Sequence, residues 1–422
     1  MNLGSASRRI IDTGKDTQFS DAWLLLGIVL TLIGAATRNP FFTTAAAFLF
    51  VIAGFAWLYA RIAIENLVYA RRFSETRAFL GETVTLELSL ANRKFTPVSW
   101  IIGRDIFPDE LAINEHQIAP NPSNNLAEFT TFWMLGPRQR LTRRFEIQCT
   151  TRGFHRFGPV TLHTGDSFGF FTRRQTVADT QFLIVYPRLY AAAELQLPTK
   201  NPFGEVHVPH SLFEDPLRTA GIREWQASDG LRRVHWKATA RQQTMLSRIY
   251  EPSEETHIQF FLNVATMERH WYGYMPELQE RVISVTASLA ALADEQRLPF
   301  GLSANGVLPA SDRPIRLLPG RSPQQLITVL ELLAAVTPLA TGPIEQLLPI
   351  EAPHLPWGAT LVVVTGIAHP ALLATLLDLA AGGRRIVLVT LAEAPPAQDL
   401  PNITVYHLPH LADDLIQMAR HV

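Results

Sequence analysis

Cysteine is almost missing from this 422-residue chain: Cys149 stands alone, so neither an intramolecular disulfide framework nor a multi-cysteine zinc site can form. That scarcity fits a reducing compartment. An excess of charge of one sign is missing as well. Lys and Arg number 37 against 38 Asp and Glu, leaving a formal charge of −1, so nothing in the whole-chain balance calls for nucleic acid or an acidic polymer. A phosphate-cradling Gly-x-x-x-x-Gly-Lys-Ser/Thr loop is absent, the histidines form no zinc-ligand motif, and no Gly-x-Ser-x-Gly nucleophile elbow is expected. Any charged function must therefore be local, and no cofactor, metal or catalytic residue is expected.

What is present begins with two runs free of charged side chains, Ala22 to Thr37 and Phe41 to Ala60. The second has the ~20 residues needed to cross a bilayer as a helix, and the first is shorter. Only Arg38-Asn39-Pro40 separates them, so they read as an antiparallel helical hairpin. Trp23, Trp57 and Tyr59 fall at interfacial depths. Arg8, Arg9 and Lys15 precede the hairpin, Arg61, Arg71, Arg72 and Arg77 follow it, and its tip carries only Arg38. This asymmetry places both ends in the cytoplasm, on the cytoplasmic (inner) membrane. The competing reading is a cleaved signal peptide, for which Gly34-Ala35-Ala36 offers small residues near a cleavage point.

From Phe73 to Pro187 the period becomes two, clearest where Val84, Leu86, Leu88 and Leu90 share one face of a strand. Further strands are expected over Val98 to Ile102, Phe129 to Leu135 and Leu141 to Cys149, with a polar loop from Asn114 to Asn125. Many short strands and few helical periods indicate an immunoglobulin-like β-sandwich. Cys149 lies on a strand with no nearby histidine and acid, so it is not read as a nucleophile.

After Thr256 strands and helices alternate. His257 to Leu262, Phe300 to Ser303, Leu361 to Val364, Ile386 to Leu391 and Asn402 to His407 read as strands. Pro276 to Arg297, Ser322 to Val336, His369 to Ala381 and Leu411 to Arg420 read as helices, with Asn305-Gly306 as a tight turn and Gly382-Gly383 as a helix stop. The continuous apolar runs suit buried parallel strands in a doubly wound α/β domain. The expected order is a tail over 1–21, the hairpin over 22–64, the sandwich over 73–187, a connector over 188–255 and the α/β domain over 256–422.

The densest stretch is Arg223 to Arg241, which gathers Arg223, Glu224, Trp225, Asp229, Arg232, Arg233, His235, Trp236, Lys237 and Arg241. It is too apolar for a solvated charge run and too charged for an ordinary core. Together with Ser228-Asp229, Val234 to Lys237 and Ala240-Arg241, it resembles the signature of the DUF58 family. Thr151 to Pro159, Asp166 to Phe171 and Val185 to Pro187 are similar to that family's Arg-Gly-aromatic, Gly-Pro and Asp-x-Phe-Gly elements, read here as scaffold. The resemblance implies a von Willebrand factor A-like C-terminal domain. The metal motif of such domains, Asp-x-Ser-x-Ser, is replaced here by Asn263-Val264-Ala265-Thr266-Met267, and Thr365-Gly366 lacks the later aspartate, so no metal is expected. The resemblance also implies accessory partners of bacterial type: a MoxR-type AAA+ ATPase and a transglutaminase-like membrane protein.

Three readings of the signature are open. Its arginines pair with Glu224, Asp229 and Glu251 as a bolt between domains, or Trp225 or Trp236 anchors a protein partner amid the arginines. In the third, His235, Lys237, Asp229 and Glu224 serve a hydrolase or transferase, although no nucleophile accompanies them. The interleaved acids argue against nucleic acid. The sequence therefore points to a membrane-anchored scaffold or adaptor rather than an enzyme.

Overall fold

In the computed structural model the chain divides into two compact units, Met1–Pro187 and Arg188–His421. The structure describes residues 10–12, 20–113, 119–121, 126–195, 198, 203, 214–226, 229–252, 257–268, 273–309, 311, 313–356, 358–396 and 398–409. Arg8, Arg9, Lys15, Ser228 and the helix expected over Leu411 to Arg420 lie outside these residues, as do the side chains of Trp23 and Glu251. Both units mix α and β structure.

After a short strand β1 (Ile10–Asp12), the first unit opens with α1 (Ser20–Thr37) and α2 (Pro40–Ile64). The turn between them follows from its residues: Arg38 takes a left-handed φ of 48°, the Asn39 side chain accepts the Phe41 amide, and Pro40 occupies the first helical position. The two helices pack together, with Gly27 against the Phe50 ring and Gly34 against Thr43. Among the described residues one helix, Pro40–Ile64, is long and apolar enough to cross a membrane; the described apolar part of α1, Leu24–Thr37, is shorter than a full span.

Twelve further strands follow: β2 (Leu67–Phe73), β3 (Arg77–Phe79), β4 (Thr83–Asn92), β5 (Val98–Pro108), β6 (Ala112–Ile113), β7 (Ala119–Asn121), β8 (Leu126–Leu135), β9 (Arg140–Gln148), β10 (Gly153–Phe157), β11 (Val160–Gly165), β12 (Thr172–Val177) and β13 (Gln181–Tyr186). They form sheets ordered β1-β12-β11-β5-β8-β7, β2-β4-β9-β6 and β10-β13-β3. The region expected to be an unbroken loop from Asn114 contains β7, which pairs with β8 at the sheet edge. The alternation in β4 places Val84, Leu86, Leu88 and Leu90 in one core. Aromatic rings join the sheets there, Phe129 meeting Phe145 edge-on at 5.1 Å and Phe73 meeting Phe157 at 4.9 Å.

This core holds a charge that the sequence reading assigned to the membrane flank. Arg71 is only 2% exposed: its guanidinium pairs with the buried Asp105 carboxylate, which also accepts the Tyr69 hydroxyl at 2.8 Å. In β2 the residues Leu67, Tyr69 and Arg71 share the inward face by strand alternation, so Arg71 is carried into the core two residues after Tyr69.

Lys94, in the β4–β5 loop, caps the C-terminus of α2 by donating its ammonium protons to the carbonyls of Ile62 (2.8 Å) and Ala63. Burial lowers its pKa from 10.5 to about 8, partly offset by Glu65. Between those two values the unfolded chain holds a proton that the folded chain has shed, so stability rises with pH across that window. Relative to a Lys94→Met variant, the melting temperature of the native protein is therefore expected to climb between pH 8 and 10. A constant difference across that range contradicts the assignment.

In the second unit β14 (Glu214–Glu224) and β15 (Leu246–Pro252) form an antiparallel hairpin that encloses α3 (Trp236–Gln242). A six-stranded sheet follows, built from β16 (Ile258–Leu262), α4 (Pro276–Glu295), β17 (Phe300–Val307), β18 (Pro314–Gly320), α5 (Gln325–Ala335), α6 (Ile344–Glu351), β19 (Thr360–Thr365), α7 (Pro370–Ala381), β20 (Arg385–Thr390) and β21 (Ile403–His407). Its order is β18-β17-β16-β19-β20-β21, parallel throughout except for edge strand β18. One face carries Phe261, Leu361, Val363, Ile386 and Leu388 against leucines of α6 and α7. The alternate residues face the other way, where α4 packs on β16 and β19 and against α5. Helices on both faces explain why every residue of β16 and β19 is buried.

Asn305-Gly306, expected as a turn, lies inside β17. Asn305 is buried, its side chain accepting the Val264 amide (2.9 Å) and donating to Asn263 Oδ1 (2.9 Å) and to the Gly342 carbonyl (3.0 Å). A Cβ at Gly306 would stand 2.5 Å from Val336 Cγ2 and 2.9 Å from Val264 Cγ1. The pair thus serves close packing and strand bridging, and the chain reverses later, between Val307 and Pro314.

Candidate functional site

The signature occupies the end of the β14–β15 hairpin. Arg223 is opposite Ser247 and Glu224 opposite Leu246, and the intervening chain folds back on this ladder. Val234 bridges to Ser247 and is buried, the His235 amide donates to the Leu246 carbonyl at 2.8 Å, and the Thr239 hydroxyl accepts the Leu246 amide at 3.1 Å. The His235 ring caps α3, its Nδ1 accepting the Ala238 amide at 3.1 Å, and Gln243 ends the helix in the left-handed region with φ 55°.

The Arg223 guanidinium donates to Asp229 Oδ1 at 2.7 Å, and the other carboxylate oxygen accepts the Gln226 amide at 3.1 Å. The Gln226 amide foremost, then Arg223, hold the Asp229 carboxyl below its usual range, against the opposing push of burial. Trp225 is half-buried, and its amide donates to the Met245 carbonyl. The signature thus separates into two groups. Arg223, Asp229 and His235 brace the hairpin from within; Glu224, Arg232, Trp236, Lys237 and Arg241 are exposed, Trp236 to 64%. Arg232, Lys237 and Arg241 form no ion pair with another described residue. His235 Nδ1 and both Asp229 carboxylate oxygens thus make capping and bracing bonds.

A second candidate lies where strand order reverses at the C-terminal ends of β16 and β19, the usual ligand position in open α/β sheets. Asn263 Nδ2 donates to the Thr365 hydroxyl at 3.0 Å, and Thr365 in turn donates to the Ile367 carbonyl at 2.7 Å. The oxygens at the positions of the metal motif are therefore engaged in joining the strand ends. The adjoining cavity of about 30 Å³, lined by Asn263, Met267, Glu345 and His369 among others, has room for a water or two. His369 Nε2 lies 3.2 Å from Glu345 Oε1 at its wall.

Sequence reasoning missed a Gly-x-Ser-x-Gly string at Gly165-Asp166-Ser167-Phe168-Gly169. A nucleophile elbow joins a strand to a helix, whereas this string joins antiparallel strands β11 and β12. The Ser167 hydroxyl lies 2.8 Å from Ser99 Oγ, and the Asp166 carboxylate is occupied in accepting the amides of Phe168 (2.9 Å) and Phe171 (2.6 Å). The string is a hairpin turn. Cys149 is fully buried, and burial, with Glu82, pushes its thiol up to about 11, so it is protonated at neutral pH.

Comparison with known proteins finds a partial family match and a distant relative. The family described as protein of unknown function DUF58 matches residues 221–418. The matched stretch begins within β14 and takes in both the signature and the parallel sheet; the elements between Arg152 and Phe171 precede it. The uncharacterized protein YeaD of Bacillus subtilis (strain 168) is 24% identical over 303 residues, covering 67% of this chain and 70% of that protein. Among solved structures, a CARDB domain from Pyrococcus furiosus is similar over 28% of this chain and 91% of its own, at 13% identity and a TM-score of 0.18. The exo-β-N-acetylglucosaminidase of Vibrio harveyi is similar over 85% of this chain and 80% of its own, at 10% identity and a TM-score of 0.22. At such scores neither structural likeness carries an argument about this protein.

Proposed function

We propose that this protein is a membrane-anchored scaffold or adaptor. In this reading α1 and α2 form a transmembrane hairpin with both ends cytoplasmic, the β sheets of the first unit are an immunoglobulin-like sandwich, and the second unit is a von Willebrand factor A-like domain. The exposed half of the signature is its docking surface. The observation that carries the reading is an exposed Trp236 accompanied by exposed Arg232, Lys237 and Arg241 on a hairpin held from within by Arg223, Asp229 and His235. Tryptophan and arginine on a braced support are the residue types that dominate interface energetics. The family resemblance supplies the partner class, a MoxR-type AAA+ ATPase, with a transglutaminase-like membrane protein as a second partner.

The test is an affinity pull-down of the detergent-solubilised full-length protein, with and without ATP, read by mass spectrometry and followed by a binding titration with the retained ATPase. Trp236→Ala and Arg232→Ala are each expected to weaken binding, the first by at least 2 kcal/mol, about 30-fold, if Trp236 is the anchor. Neither should move stability by more than about 0.5 kcal/mol, as for other surface substitutions. Failure to retain an ATPase in either nucleotide state, or unchanged affinity in both variants, removes the docking reading.

A further inference from the structure

Exposed aromatic and basic side chains lie on the loops next to the place where α2 joins the β sheets of the first unit. The last turns of α2 belong to the protein core: Ala60, Ala63 and Ile64 are buried, and Ala63 packs among the sheet residues. Earlier in the helix Phe41, Phe48 and Phe55 are exposed. The changeover comes near Tyr59, whose hydroxyl donates to the Pro97 carbonyl at 3.0 Å and lies 3.1 Å from Ser99 Oγ. Ser99 in turn contacts Ser167. The 92–97 loop and the 166–171 turn are thus tied to the helix at one level.

Each presents an apolar side chain that the fold does not use. Phe95 is 72% exposed and Phe168 71%. Both are held in place. The Arg138 guanidinium covers the Phe95 ring at 3.8 Å, and the Arg138 amide donates to the Lys94 carbonyl at 2.8 Å. The Asp166 carboxylate fixes the turn that projects Phe168, and the Phe170 ring stacks against it at 5.6 Å. Arg61, Arg93 and Arg138 are exposed at the same end, and Arg61 covers Trp57 at 5.9 Å. Lys94, spent on the helix carbonyls, Glu65 beside it and the Asp166 carboxylate also lie around the junction, and Arg93 lines a groove with Arg72, Glu87 and Arg140.

We infer that this end of the first unit rests on the bilayer, with Phe95 and Phe168 inserted at headgroup depth and Arg61, Arg93 and Arg138 facing anionic lipid phosphates. The inference rests on the reading of α2 as a membrane anchor. Length supports it: from Pro40 to Tyr59 the helix rises about 29 Å at ~1.5 Å per residue, close to the ~30 Å hydrocarbon thickness, so the water boundary falls at the level of these loops. Aromatic side chains favour that boundary, and basic ones favour it when the lipid is anionic. Held at the boundary, the two loops would restrain the tilt of the unit that α2 carries.

The test uses full-length protein reconstituted into vesicles of phosphatidylethanolamine and phosphatidylglycerol, with an environment-sensitive fluorophore on Phe95→Cys, Phe168→Cys or, as the anchor control, Phe48→Cys. Native Cys149 is buried and protonated, so it stays unlabelled in the folded protein. Labels at 95 and 168 are expected to shift to the blue and to be quenched by nitroxide placed near the lipid headgroup, while the label at 48 is quenched by nitroxide deep in the acyl chain. In Phe168→Asp protein the label at 95 should lose part of its headgroup quenching. If 48 is quenched from the acyl chain but 95 and 168 only by aqueous iodide, the inference fails and the anchor stands; if 48 too is reached only by iodide, the anchor reading itself fails.

Discussion

Asp105→Ala is expected to destabilise the first unit by about 3–5 kcal/mol, the usual cost of removing one partner of a buried ion pair. The size follows from what is left behind. Arg71 would keep a guanidinium within the core, over Phe107 at 6.0 Å, with the Asp179 carbonyl at 3.5 Å and the charge of the Asp179 carboxylate as what remains near it, and the Tyr69 hydroxyl would lose its acceptor. Neither group has water to turn to, since Tyr69 and Arg71 are both 2% exposed. Replacing the pair together, as in Arg71→Met with Asp105→Leu, removes both charges and should restore most of the loss. Urea unfolding of the detergent-solubilised protein provides the readout. A loss below about 1 kcal/mol for Asp105→Ala, in the range of an exposed ion pair, contradicts the buried pairing.

Arg71 also shows where sequence patterns run out. Counted along the chain it belongs to the basic cluster after the hydrophobic hairpin; in space it is fixed by the alternation of β2 and by Asp105, 34 residues later in sequence. Nothing local marks that partner. The strands themselves were legible, because a half-buried strand must alternate and a strand covered on both faces must be continuously apolar, as β4 and β16 are. Asn305-Gly306 has turn composition, and what overrides it is the burial of Asn305 against Asn263 across the strand ends.

The signature was visible as a density of residue types, but its division into a bracing half and an exposed half was not. That division depends on the register Arg223 to Ser247, which folds Asp229 onto Arg223 and turns Trp236 to solvent. Trp225 and Trp236 are equivalent candidates by composition, and burial alone separates them. The Gly-x-Ser-x-Gly string makes the converse point: its spacing fits a nucleophile elbow, and its place between two antiparallel strands rules the elbow geometry out.

Phe261→Ala should cost the second unit about 3–5 kcal/mol, the range for a fully buried aromatic cut back to alanine. Phe261 is the fourth of the five residues of β16, the strand flanked by parallel neighbours β17 and β19, and its ring contributes to the core that α6 and α7 close with Ile344, Leu348, Leu372 and Leu376. A sheet covered on both faces cannot fill such a gap by moving one layer, because α4 holds the opposite face of the same strand. Phe261→Leu keeps most of the volume and should cost less than about 1.5 kcal/mol. Hydrogen exchange should locate the loss in the amides of β16, β19 and β20. Equal costs for the alanine and leucine variants would mean that the ring is not the packing element described, and that the parallel strands are held together from the α4 face instead.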